Sequence, residues 1–92
     1  MKIDFDLGKR LLTLEKRGLD MARAEEILNG RATTFRDERR DYGEERFITI
    51  GILDDRMVIL VWTQRGDVQR IISLRKANGR EKALYGARLD RS

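Results

Sequence analysis

Cations, rather than acid–base side chains, carry the chemical potential of this sequence. The stretch Gly66 to Lys82, "GDVQRIISLRKANGREK", holds Arg70, Arg75, Lys76, Arg80 and Lys82 around a short apolar run. Arg65 precedes it, and Arg46 opens another apolar run upstream. Guanidinium forks match the paired oxygens of a phosphate, so arginines gathered on one sheet face would form a phosphate cradle. Each arginine taken singly also fits an ordinary ion pair with a surface carboxylate.

The chain has no histidine and no cysteine. Serine–histidine and cysteine–histidine nucleophile schemes therefore lack their base, and no thiolate metal site exists. The carboxylate pairs Glu25-Glu26, Glu44-Glu45 and Asp54-Asp55 are sequence neighbours whose side chains diverge, which suits turns and solvated faces better than a metal. Neither a dinucleotide-binding glycine motif nor a P-loop is present. No metal and no cofactor is expected. One reaction remains open to Arg, Lys, Glu and Tyr alone. RNA carries its own nucleophile, the 2′-hydroxyl, so a protein need only align it, stabilise the crowded phosphate and help a proton reach the leaving 5′-oxygen. A carboxylate, or a lysine of lowered pKa, would help remove the 2′ proton.

The charge balance points the same way. Residues 65–92 carry eight basic and three acidic side chains, whereas residues 1–64 carry twelve and thirteen. A basic C-terminal third suits a polyanion or an acidic protein. Ninety-two residues imply one domain, 1–92, with a small core. The longest apolar run, Met57 to Trp62, is far below the roughly 20 residues of a membrane span. The N-terminus lacks a signal-peptide pattern, and a cytoplasmic location without membrane association is expected.

The elements that must position these cations read as follows. Residues 1–5 suit a short strand. Asp6 stands where an N-cap belongs, Leu7, Leu11, Leu12 and Leu14 follow at helical spacing, and Gly18 stops the helix. Asp20 caps a second helix with Met21, Ala24, Ile27 and Leu28 inward, ending at Asn29-Gly30. "ATTF" is a strand, Arg36 to Glu44 a charged connection, and "ERFITIGIL" an alternating strand. Asp54-Asp55 makes a tight turn before "RMVILVWT", a central strand, and "QRGD" turns into "VQRIISLR". Asn78 with Glu81 resembles a capping box opening a last helix through Ala83, Leu84 and Ala87. The order is β-α-α-β-β-β-β-α, which predicts an α+β fold: an antiparallel sheet with an N-terminal helix hairpin, a C-terminal helix, and the helices on one side. Period two in the last strand sets Val68, Arg70, Ile72 and Leu74 on one face and Gln69, Ile71, Ser73 and Arg75 on the open other. Trp62, Phe47 and Phe5 lie in apolar strands and fit the core better than a base-stacking platform.

Three segments, "FDLGKRLLTLEKRGLD", "GEERFITIG" and "VWTQRGDVQRIISLRKANGREKALY", resemble in order and spacing the BrnT family of toxins from bacterial toxin–antitoxin modules. The resemblance runs from residue 1 to about residue 85. It implies a RelE-like ribonuclease fold and an RNA-cleaving toxin that inhibits translation and arrests growth. It also implies a neighbouring BrnA-like antitoxin, a DNA-binding ribbon-helix-helix protein, with a toxin–antitoxin heterotetramer as one expected assembly. By that resemblance Lys16 matches a lysine of the family's "KHG" motif, Arg65 the "T-x-R-G" arginine, Arg75 the arginine after "IIS", and Arg46 the "EERF" arginine. Arg17 stands where the family usually has histidine, and cannot act as a base near neutral pH. Lys16, Arg65 and Arg75 are the expected catalytic residues. Arg46, Arg70, Lys76, Arg80 and Lys82 are expected to extend the RNA track, with Tyr85 and Glu81 as further candidates. A non-catalytic RNA- or ribosome-binding module is the alternative, and a basic surface that only seats an acidic antitoxin is a third reading.

Overall fold

A computed structural model describes residues 2–90 of the chain. Met1 of the expected first strand lies outside them. Among the described residues the order is β1 (Lys2–Phe5), α1 (Leu7–Arg17), a 3-10 turn (Met21–Arg23), α2 (Ala24–Asn29), β2 (Ala32–Arg36), β3 (Phe47–Leu53), β4 (Arg56–Arg65), β5 (Val68–Lys76) and α3 (Gly79–Asp90). The expected α+β element order is therefore present, with the start of the second helix tightened into the 3-10 turn.

Local signals set the boundaries. The Asp6 carboxylate accepts from the Lys9 amide at 2.9 Å. Gly18, at φ 68°, closes α1 in the left-handed region that favours glycine, its N–H donating to the Leu14 carbonyl. Asp20 accepts from Ala22 N–H at 3.0 Å. Asp54 and Asp55 both take positive φ, as a two-residue hairpin turn requires. Asn78 and Glu81 form the reciprocal capping box, each side chain accepting from the other's amide at 2.9 Å.

The sheet runs β1-β5-β4-β3-β2. It is mixed, not purely antiparallel, because β1 pairs parallel with β5, from Lys2 opposite Val68 to Phe5 opposite Ile71. Parity explains the correction. The three antiparallel steps from β2 to β5 set β5 opposite to β2, and β1, joined to β2 through helices rather than a hairpin, is added at the far edge beside β5. Strands β1 and β5 both run opposite to β2, and so run alike.

Helices cover both sheet faces rather than one. On the first face Leu19, Met21, Ala24 and Ile27 pack on Leu53, Val58, Leu60, Ile71 and Leu74. On the second, Leu89 and Tyr85 of α3 pack on Ile48, Ile50, Met57 and Ile59. Sandwiching the sheet buries both faces of β4, and each fully buried aliphatic side chain contributes about 1.5–3 kcal/mol. Gly51 permits the close approach of α2: a Cβ there would meet Ile27 Cγ2 at 2.6 Å. No helix among the described residues is long and apolar enough to cross a membrane.

Two departures govern the site. The first is a β-bulge: Val61 pairs with Ser73 but Trp62 with Ile71, leaving Ile72 as an extra residue. Strict alternation fails there. Ile71 joins Leu74 in the core of the first face. Arg70, opposite Thr63, is carried onto the face of Ser73 and Arg75. The second departure is α1, whose leucines 7, 11, 12 and 14 face solvent while Thr13 is buried.

Candidate functional site

The outer edge of β5 explains how distant cations meet. Strand β1 pairs with β5 only as far as Ile71, so the carbonyls beyond it lack a strand partner. Helix α1 supplies donors instead. Lys9 Nζ donates to the Ile72 carbonyl at 2.6 Å, and Arg17 Nη1 to the Leu74 carbonyl at 2.8 Å. Clamping α1 to this edge carries its last turn, Lys16 and Arg17, to the end of β5. Both cations also complement the negative end of the helix dipole.

The result is a cleft of about 370 Å³ lined by Lys16, Arg17, Arg75 and Lys76. Among the described residues no carboxylate lines it. Lys76 also lines a neighbouring cleft with Arg56 and Lys82, where Asp55 and the apolar Ile52 and Met57 complete the wall. Arg75 borders a third cleft, of about 400 Å³, between the sheet and α3, with Phe35, Arg39, Ser73, Glu81 and Tyr85 on its walls. There the Tyr85 and Phe35 rings stack at 6.1 Å.

Arg75 is the hinge of this arrangement and is already engaged. Its Nη1 and Nη2 donate to the two Glu81 oxygens at 2.8 Å each. That fork and the Asn78 amide hold the Glu81 carboxyl at a pKa of about 2, against the opposing effect of burial. Glu81 is thus ionised throughout the neutral range and too weakly basic to serve well as a proton acceptor. The Arg75 guanidinium is pushed up by the same hydrogen bonds and stays charged. The sheet face carrying Arg75 is not open, as expected, but partly roofed by α3, because Tyr85 and Leu89 bury its isoleucines.

The expected site residues separate into two groups. Lys16, Arg75 and Lys76 converge in the cationic cleft, and Lys82 extends it. Arg80 is exposed on the first turn of α3. The others stand elsewhere. Arg65, at the far end of β4, lies six residues past Ile59, the partner of Arg75. At strand spacing that is about 20 Å, too far to share one phosphate with Arg75. It reaches Glu44 at 3.5 Å. Arg70 pairs with Asp4 at 2.8 Å and draws the Asp4 carboxyl pKa down. Arg46 lies over the Tyr42 ring at 4.1 Å, and its buried Nε has no hydrogen-bond partner among the described residues.

Three cations of these clefts were not among the expected site residues. Arg17 drew notice only as a departure from the family histidine, although its place beside Lys16 was the available signal. Arg56 and Arg39 gave no signal, since their roles depend on the β3–β4 hairpin and on the packing of α3. The aromatic residues behave as core: Trp62 stacks on Phe47 at 4.8 Å and donates from Nε1 to Thr49 Oγ1 at 2.9 Å, and Phe5 packs against the same core. Asp54 is held by Arg23, Glu45 by Arg36 and Glu44 by Arg65. No three His, Cys, Asp or Glu side chains gather into a metal-holding group among the described residues.

A family model described as the ribonuclease toxin BrnT of type II toxin–antitoxin systems matches residues 5–81. No curated protein matches the chain.

Proposed function

The chain belongs to the BrnT family of ribonuclease toxins of type II toxin–antitoxin systems and so has a cognate antitoxin, and from that premise we propose that it is an endoribonuclease that cuts RNA at the cationic cleft without a metal. The observation that carries this reading is the convergence of Lys16, Arg17, Arg75 and Lys76 on one cleft with no carboxylate lining it among the described residues. A phosphate seated there meets charge that grows in value as its own negative charge builds up in the transition state.

In this reading the 2′-hydroxyl of the substrate gives its proton to a solvent water and attacks the adjacent phosphorus, the bond to the 5′-oxygen breaks as that oxygen takes a proton from Lys16, and a 2′,3′-cyclic phosphate and a 5′-hydroxyl result, with Lys16 reprotonated from solvent. Arg75 and Arg17 stabilise the phosphate oxygens. Lys16, on the last turn of α1, donates a proton toward the leaving oxygen. Lys76, Arg56 and Lys82 hold the strand beyond the cut. The cleft beside Tyr85 and Phe35 receives a neighbouring base. Arg65, Arg70 and Arg46 move from the reaction centre to the periphery. The RelE-like fold, inhibition of translation with growth arrest, a cytoplasmic setting and a DNA-binding antitoxin belong to the same proposal.

The test is cleavage of a defined RNA in EDTA. A 2′,3′-cyclic or 3′-phosphate and a 5′-hydroxyl are expected, and a substrate with 2′-deoxy at the cut site should survive. Restoration of activity only by magnesium, or products ending in 5′-phosphate, would replace this mechanism with attack by water. Retention of RNA without any cleavage would leave a binding module.

A further inference from the structure

Asp37 is a buried carboxylate, 5% exposed, and the proposed cut makes no use of its charge. Its partner is Arg39. Asp37 Oδ1 accepts from Arg39 Nε at 2.8 Å, and Oδ2 from Arg39 Nη2 at 2.8 Å. The Arg39 amide and the Tyr42 hydroxyl donate to the same carboxylate at 3.2 and 3.1 Å. These bonds, the Arg39 guanidinium first among them, hold the Asp37 carboxyl well below the usual carboxylate range, so the fork stays charged at neutral pH. The Asp37 amide in turn donates to the Arg46 carbonyl at 2.8 Å, which ties the start of the β2–β3 connection to its end. Arg39 is thus held in place by a buried acid although its own side chain is 66% exposed. Its Nη1 donates in no hydrogen bond among the described residues.

Arg39 and Arg75 both line the cleft of about 400 Å³ between the sheet and α3, a size within the ~300–1,000 Å³ range of ligand sites. Asp37 lines the adjoining cleft instead. The fork therefore commits the Nε edge of Arg39 to Asp37 and leaves the edge formed by Nη1 and the second Nη2 hydrogen for a ligand. Ile48, Ile59 and Val61 give the cleft an apolar floor, and Phe35 and Tyr85 add rings. Such walls suit an unstacked base. Arg75 borders this cleft and the cationic one, so a nucleotide whose phosphate rests on Arg75 brings its base toward Arg39.

The free edge selects the base. Glu81, the carboxylate of the cleft, already accepts twice from Arg75 and once from the Asn78 amide. The strongest groups left to a ligand are guanidinium donors. Guanine presents two adjacent acceptors, O6 and N7, which a guanidinium fork matches. Adenine and cytosine set an amino donor there, and uracil offers one oxygen. We infer that Arg39, fixed by Asp37, reads the O6/N7 edge of a guanine seated beneath α3, so that RNA is cut next to guanines. The inference rests on the endoribonuclease reading above and adds its base preference.

Its test is cleavage of a mixed-sequence RNA with the product ends sequenced, followed by RNAs of one cut site that carry guanine, inosine, 7-deazaguanine or adenine beside the cut. The wild type should cut guanine and inosine sites roughly 5–150-fold faster than adenine sites, the discrimination of one bidentate pair. The 7-deazaguanine site, which lacks N7, should lose most of that advantage. Arg39→Lys keeps the charge without the fork and should bring the guanine-to-adenine ratio close to one, as should Arg39→Ala. Equal cutting at guanine and adenine sites by the wild type would overturn the inference. So would a guanine preference that survives in folded Arg39→Lys or with 7-deazaguanine, since another group would then read the base. If no RNA is cut, the catalytic proposal fails, and fluorescence anisotropy of the same RNAs decides the inference by itself. Tighter binding of the guanine RNA that Arg39→Lys abolishes would uphold it, and equal affinities would sink it.

Discussion

The two ends of the β4–β5 hairpin carry comparable numbers of cations and put them to different uses. At the turn end the cations meet acids: Arg70 pairs with Asp4, Lys2 with Asp67, and Arg65 reaches Glu44. At the other end Lys16, Arg17, Arg75 and Lys76 line one cleft, and among the described residues the carboxylate that pairs with one of the four is Glu81, on Arg75. A count of positive residues does not distinguish these ends. What distinguishes them is whether strand pairing brings an acid within reach. At the turn end β1 supplies Asp4, whereas beyond Ile71 β1 has stopped and α1 delivers more cations instead.

The comparison breaks first at Arg75. Arg75→Ala should lower RNA cleavage by about 10–150-fold, the loss of a charge-assisted contact worth about 1.5–3 kcal/mol. Circular dichroism should show a folded protein. Near-normal cleavage by that protein would make the two ends equivalent.

Glu81 sharpens the comparison by testing the carboxylate that pairs with Arg75 at the basic end. Its pKa is depressed from the ordinary 4.5 to about 2 in the folded protein. Its stabilising contribution is therefore complete above pH 4.5 and is lost as pH falls toward 2. Glu81→Gln should cost on the order of 1–2 kcal/mol at pH 7, after discounting for the partial solvent exposure of Arg75. The difference from wild type in denaturant titrations should shrink to nothing near pH 2. A difference that stays constant down to pH 2 would mean that the Arg75–Glu81 pair is not the source.

The smallest effect belongs to the turn end. Arg65→Ala and Arg70→Ala should each change cleavage by less than about 3-fold, in keeping with exposed paired charges. A loss as large as that of Arg75→Ala would restore Arg65 to the reaction centre and erase the distinction.

Much of this molecule is set by interactions within a few residues, and those were legible in the sequence. The Asp6 cap, the Gly18 stop, the Asp54-Asp55 turn and the Asn78–Glu81 capping box each depend on neighbours at most four positions apart. Element order followed from them, whereas the parallel pairing of β1 with β5 did not: the sheet read as antiparallel is mixed because β1 joins the far edge beside β5. The meeting of Lys16 with Arg75 came instead from family resemblance, since nothing local joins residues so far apart.

Tertiary structure decided the remainder. Whether an arginine is neutralised depends on partners such as Asp4 for Arg70, 66 residues away. The bulge at Ile72 shifts side-chain parity, because one extra residue exchanges the faces of everything before it. The outward turn of the α1 leucines arose because unpaired carbonyls on β5 claimed Lys9 and Arg17, and a helix held by its polar face must present its apolar face to solvent. Helical spacing reveals that such a face exists, whereas the direction in which it points is settled by the strand edge to which the helix is fastened.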